Sequence, residues 1–201
     1  MSGIKSVAFD PVPVTIPLSR TNQPGTPIAM PELTNFSVET LVVPANEYVP
    51  NHTRYPFLIY RGVWADKPAP QEALSQFASN GWGGGWINGV FPFHHYHAES
   101  HEVLANTGPT IQVQFGGPEG EIVEFKTGDI VLIPAGGGHC LMPGSRASGI
   151  VGAYPAGQED WDLKRNDPKD YQLALQQIPV VPLPMTDPVT GNQFPLLDYW
   201  K

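Results

Sequence analysis

From Glu102 to Tyr154 the chain is a series of short apolar or alternating runs, each closed by a glycine- or proline-bearing turn. That rhythm constrains the fold more than anything else in the sequence, because it leaves room for strands but not for helices. Glu102–Asn106 leads into a turn at Thr107-Gly108. In 110–115, Ile111, Val113 and Phe115 alternate with Gln112 and Gln114, as in a half-buried strand. A hairpin turn at 116–120 precedes the alternating Glu121–Phe125. Thr127-Gly128-Asp129 then turns the chain into the wholly apolar Ile130–Ile133, and 148–154 closes the series. Short strands at near-regular spacing predict an all-β sandwich or barrel.

The flanks fit the same class. Strands are expected at 36–43 and Phe57–Arg61, separated by a polar, proline-bounded loop. One early helix is predicted, with Pro68 and Pro70 at its start, an apolar stripe of Ala73, Leu74, Phe77 and Ala78, and a stop at Asn80-Gly81. The glycines between Trp82 and Trp86 do not make a phosphate loop, since neither a lysine nor a helix pattern follows. They are expected to let backbone pass close to large rings, or to form a bulge. Asp167-Pro168 opens a short helix to about residue 177. We read a single domain, with residues 1–35 as a proline-rich N-terminal arm holding a strand at 4–9. Residues 36–154 form its β unit, and 155–201 a C-terminal extension.

Composition limits partners and compartment. With 23 prolines and 21 glycines the chain turns often, and 41% hydrophobic against 15% charged residues indicates a packed core rather than a disordered polyelectrolyte. A net charge of -8 argues against nucleic acid or an anionic membrane as partner, since both require a basic face. A single cysteine, Cys140, excludes an intramolecular disulfide, and no run of about 18 apolar residues occurs. A soluble, cytoplasmic protein is expected.

Chemistry concentrates in Phe93-His-His-Tyr-His97. If this piece is a strand, His95 and His97 share one face, while His94 and Tyr96 face away. Glu102 follows closely, and His139 lies beyond Gly136-Gly-Gly. Imidazoles with one carboxylate suit a divalent transition metal, with Mn, Fe, Co, Ni, Zn and Cu all compatible. Counting by twos from His97 would aim His101, not Glu102, at the same point. The polar Ala98-Glu99-Ser100 can reset that phase, which favours Glu102, and neighbours on one strand cannot both ligate. Cys140, next to His139, should point away. Arg54 and Arg61 are candidate carboxylate binders near the site, and Trp86, with Trp82, Phe91 and Phe93, a candidate pocket wall.

Gly89, five residues, His95-Tyr-His97, four residues, Glu102 and then Gly108 resembles the first motif of the cupin superfamily. Gly128, five residues, Pro134-Ala-Gly136, two residues and His139 resembles the second. The resemblance implies a small antiparallel β-barrel (double-stranded β-helix, or jelly roll) with short helices and extended arms. It also implies one divalent metal per chain held by His95, His97, Glu102 and His139. More narrowly, the chain is similar to the YjlB-like cupins, a group without an established reaction. That similarity rests on Leu58-Ile-Tyr-Arg-Gly62, Asn80-Gly-Trp82, Val151-Gly-Ala-Tyr-Pro155, Gly157-Gln158, Trp161-Asp162, Val181-Pro-Leu-Pro184 and Thr186-Asp-Pro188. Two departures, Pro143 where the second motif often has Asn and an interval one residue short at Gly108, touch only turn geometry.

The activity implied first is an oxidoreductase or dioxygenase acting on a small organic substrate. A metal-dependent isomerase, epimerase or lyase is the alternative, and a non-catalytic ligand- or metal-binding protein the reading from another class. The proline-rich termini, carrying Trp161, Tyr199 and Trp200, suggest exchange of arms in a homodimer.

Overall fold

The structure, a computed structural model, describes residues 12–13 and 30–201. The predicted strand at 4–9 and most of the N-terminal arm lie outside the described residues. Among the described residues there are ten strands: β1 (Val12–Pro13), β2 (Ser37–Leu41), β3 (Phe57–Arg61), β4 (Trp82–Asn88), β5 (Glu102–Asn106), β6 (Ile111–Phe115), β7 (Glu121–Phe125), β8 (Ile130–Ile133), β9 (His139–Leu141) and β10 (Ile150–Pro155). They pair antiparallel into a seven-stranded sheet, ordered β1-β2-β3-β8-β5-β10-β4, and a three-stranded sheet, β7-β6-β9.

The central strands of the large sheet, β3, β8, β5 and β10, are buried on both faces, which explains why β3 and β8 read as continuous apolar runs. Phe57, Ile59, Val131, Ile133 and Leu104 point toward the small sheet and pack with Ile111, Val113, Phe115 and Phe125. Leu58, Tyr60, Ile130, Leu132, Val103 and Ala105 point the other way, into a second core with Phe77, Trp82 and Trp200. The small sheet has only one covered face, so β6 keeps its alternation, with Gln112 exposed and Gln114 half-buried.

Helix α1 (Pro70–Ser79) lies over that second core. Pro70 starts it, the Glu72 carboxylate accepts from the Ala69 amide, and Gly81 ends it at φ +83°. Helix α2 (Pro168–Gln177) is capped by the Asp167 side chain, which accepts from the Lys169 and Asp170 amides. The C-terminal segment returns to its own chain. Buried Asp187 accepts from the Tyr60 hydroxyl and from the amides of Val189, Thr190 and Leu196. Trp200 stacks on Tyr55, with ring centroids 5.5 Å apart, and donates to the Pro56 carbonyl. Burial of Trp200 therefore needs no partner subunit, contrary to the reasoning from the arms.

Three expectations are refined. The all-β architecture is two packed antiparallel sheets, and their hydrogen-bonded ladders do not close into one continuous barrel. The histidine block is not a ladder strand. It is an extended segment held by isolated bridges, His95 to His139 and Tyr96 to Lys164. Strands β4 and β9 were not expected: glycines mask the first, and the second spans only three residues. Among the described residues, no helix is long and apolar enough to cross a membrane.

Candidate metal centre

Three short pieces of chain meet between the two sheets. His139 opens β9, the edge of the small sheet, and its amide and carbonyl pair with those of His95 at 3.0 and 3.2 Å. That pairing carries the 95–97 segment along the small sheet. Tyr96 is turned outward and buried against α2-side residues such as Ala174, so His95 and His97 turn inward as their spacing requires. Glu102 comes from the opposite sheet. On β5 it shares the inward face with Leu104, whereas His101, Val103 and Ala105 face the second core.

Ligand-type atoms of His95, His97 and His139 all lie within 4.8 Å of one another, and all three residues are buried. Glu102 Oε2 is 3.5 Å from His97 Nε2 and 3.4 Å from His139 Nε2. The Nδ1 atoms are engaged by main-chain carbonyls: His95 with Phe93, His97 with Asp162, and His139 with Gly137. A carbonyl only accepts, so each Nδ1 carries a proton, and in the neutral ring Nε2 is left to present its lone pair inward.

Burial holds the His95 imidazole down to about 4, against the pull of Glu102. His139 is also held well below its ordinary value by burial, and further by the neighbouring His95. Burial works against a charge on His97 too, but the Glu102 carboxylate beside it outweighs this and raises it. Burial would likewise neutralise Glu102, yet the charge of His97, with His139 and His95 behind it, holds the carboxyl down to about 2. The polypeptide thus keeps His95 and His139 neutral beside an ionised carboxylate, and a cation would have to displace only the proton that Glu102 favours on His97. Glu102 Oε2 is buried without a hydrogen-bond partner, an unmet acceptor aimed at the imidazoles. These residues fit one divalent ion, and the cluster could hold it.

A cavity of about 330 Å³ opens onto the cluster. Its remaining walls are mainly apolar or aromatic: Trp86, Val90, Phe91, Leu104, Tyr154 and Trp161. Trp86, expected as a wall, lines it. Trp82 lies in the core on the other side of the sheet, donating to the Thr186 carbonyl. Phe93 stacks on Phe91 at 4.9 Å, one ring away from the lining.

Neither arginine lines the cavity. Arg61 pairs with Glu39 and Asp129 and donates to the Glu124 carbonyl, tying β2, β3 and the β7–β8 turn together. Arg54 donates to the Lys201 carbonyl. His101 lies outside the cluster, and its Nδ1 accepts from the Ala135 amide. Cys140 points away, into a groove with His94.

Sequence reasoning missed Tyr154, Trp161 and Asp162 as parts of the site. Tyr154 donates to Glu102 Oε1 at 3.0 Å. Trp161 stacks on Tyr154 and meets His97 edge-on at 5.1 Å. Asp162 holds His97 through its carbonyl, while its carboxylate accepts from the amides of Ala98 and Glu99. A period of two along β10 groups Tyr154 with Ile150 and Gly152 on the inward face, the one signal that could have found it.

No family model matches the chain. Over 162 residues, 81% of this chain and 96% of the relative, it is 37% identical to a Bacillus subtilis (strain 168) protein named "Uncharacterized protein YjlB".

Proposed function

The chain belongs to the YjlB family, and because that name carries no reaction, we propose a function from the site itself. The protein is a metal-dependent oxidoreductase of dioxygenase type, on a cupin-like fold, acting on a small and largely apolar organic molecule. One observation carries this reading. Three inward imidazoles and a carboxylate form one wall of a cavity whose other walls offer aromatic and aliphatic surface.

His95, His97, His139 and Glu102 would hold the ion. When bound, a redox-active ion such as Fe, Mn, Cu or Ni, with positions left open by four protein ligands, supplies activation of oxygen and of a coordinating substrate group. The chain's own residues do the rest. Trp86, Phe91, Tyr154 and Trp161 offer ring faces that suit a flat apolar substrate and exclude water from its surroundings. The main-chain carbonyls on Nδ1 fix each imidazole's tautomer and orientation.

An isomerase or lyase would want a second acid or base facing the substrate. Among the residues lining this cavity, Tyr154 is the one titratable group beyond the four candidate ligands. Burial pushes its hydroxyl up, away from any role as base, and its proton is already given to Glu102. That favours the oxidoreductase reading, in which the redox step needs no protein base.

Elemental analysis of protein purified without added metal, followed by an oxygen-uptake screen over small aromatic and aliphatic acids, alcohols and phenols, tests it. We expect about one transition-metal ion per chain and substrate-dependent oxygen consumption that H139A abolishes. Turnover without oxygen uptake would move the protein to the isomerase or lyase class. Metal that raises the melting temperature with no turnover of any kind would make it a binding protein.

A further inference from the structure

Glu102 is held by more than its own strand. Its Oε1 accepts from the Tyr154 hydroxyl at 3.0 Å, and that hydroxyl in turn accepts from the Trp86 indole nitrogen at 3.0 Å. The arrangement is set by register. Strands β10 and β5 pair antiparallel through Ala153 and Val103, so the next step along each brings Tyr154 and Glu102 alongside. The tyrosine ring has little freedom, because it is buried, stacks on Trp161 at 5.7 Å and meets His97 edge-on at 5.9 Å. One carboxylate oxygen is thereby occupied. The other, Oε2, is left without a donor and lies 3.4–3.5 Å from two imidazole nitrogens.

We propose that Tyr154 is a positioning residue for the metal centre, and that the Trp86–Tyr154–Glu102 chain makes Glu102 a one-oxygen ligand. The inference rests on the metal-centre reading above. Without the hydroxyl the carboxylate could rotate, offer both oxygens or swing from the imidazoles, and lose the pre-set geometry that outer hydrogen bonds give a metal ligand. Tyr154 also lines the cavity, so the residue that orients Glu102 is part of the wall a substrate would touch.

The test uses full-length protein stripped with a chelator and titrated with Co(II), followed by visible absorption and chelator competition. Wild type, Y154F, E102A and the Y154F/E102A double variant are compared. Y154F is expected to bind Co(II) roughly 10- to 100-fold more weakly and to shift the Co(II) absorption bands. In the E102A background, which leaves the hydroxyl no acceptor at this position, the same change should have no further effect, because the tyrosine acts through the carboxylate. Unchanged affinity and spectrum in Y154F overturn the proposal, even where the melting temperature of the metal-free protein falls, since Tyr154 is then a packing residue. An equal loss in both backgrounds overturns it as well. Failure of the wild type to take up Co(II) overturns the metal-centre reading itself, and this inference with it.

Discussion

Two neighbouring residues show how one step along a strand decides chemistry. Glu102 faces the imidazoles, while His101 is buried on the opposite face, 4.8 Å from the Trp200 ring centroid, with its Nδ1 accepting from Ala135. The two should therefore fail differently. E102A is expected to lose most bound metal, read by elemental analysis, because the carboxylate facing the imidazoles goes. H101A should retain close to the wild-type metal content. It should nevertheless lose about 2–3 kcal/mol of stability in urea unfolding, since a buried ring leaves a void and an unpaired amide. Metal loss in H101A with retention in E102A would invert the assignment.

At the scale of elements, the glycines of β4 act as a phase switch. Trp82 and Trp86 are four apart and would share a face on a regular strand. Gly152 pairs with Trp86 and Tyr154 with Gly83, so Gly84 and Gly85 together oppose Ala153 in a bulge, with Gly84 at φ +60°. The slip sends Trp82 into the core under α1 and Trp86 into the cavity. Across the bulge, Gly152 lets the Trp86 ring lie on the backbone, where an added Cβ would come within 2.2 Å of the indole. G152A is expected to cost about 1–3 kcal/mol by overpacking and to push Trp86 off Tyr154. Urea unfolding and a red shift in tryptophan emission would report it; wild-type stability and emission would mean the ring is not held there.

Across the whole molecule, buried imidazoles set the response to acid. Burial holds His95 to about 4 and His101 to about 3, with His52 adding to the latter, and it holds His139 well down. The unfolded chain binds protons at these groups near 6.5 and the folded chain does not, so their contribution is present above that pH and is lost toward 4. Asp187 acts oppositely. Burial raises it to about 6, so its effect favours the folded state at low pH and fades as pH rises from about 4 to 6. The three histidines, joined by His52, which burial also lowers to about 4, outweigh Asp187 and His97, which Glu102 raises, and metal-free protein should lose on the order of 1–3 kcal/mol of stability per pH unit between 6.5 and 4. A flat profile of urea midpoint against pH would contradict this. Bound metal should move the loss to lower pH, since protons must first displace it.

The sequence determined those features that depend on neighbours along the chain. Alternation in β6, the apolar runs of β3 and β8, the proline and aspartate that open α2, and the spacing of His95 and His97 were all legible, because strand period and helix caps are local. So was the preference for Glu102, once Ala98-Glu99-Ser100 was allowed to break the phase. The tertiary structure alone decided the rest. It brought β5 opposite β9, so that a carboxylate from one sheet meets His139 of the other and the 95–97 segment bridged to it. It engaged Arg61 with Glu39 and Asp129 instead of the cavity, and folded Trp200 onto Tyr55 of its own chain. It also laid Tyr154 beside Glu102 across 52 residues. The reason is physical: a pattern of side chains along a strand fixes which face they share, but not which strand from elsewhere in the chain will pack against that face.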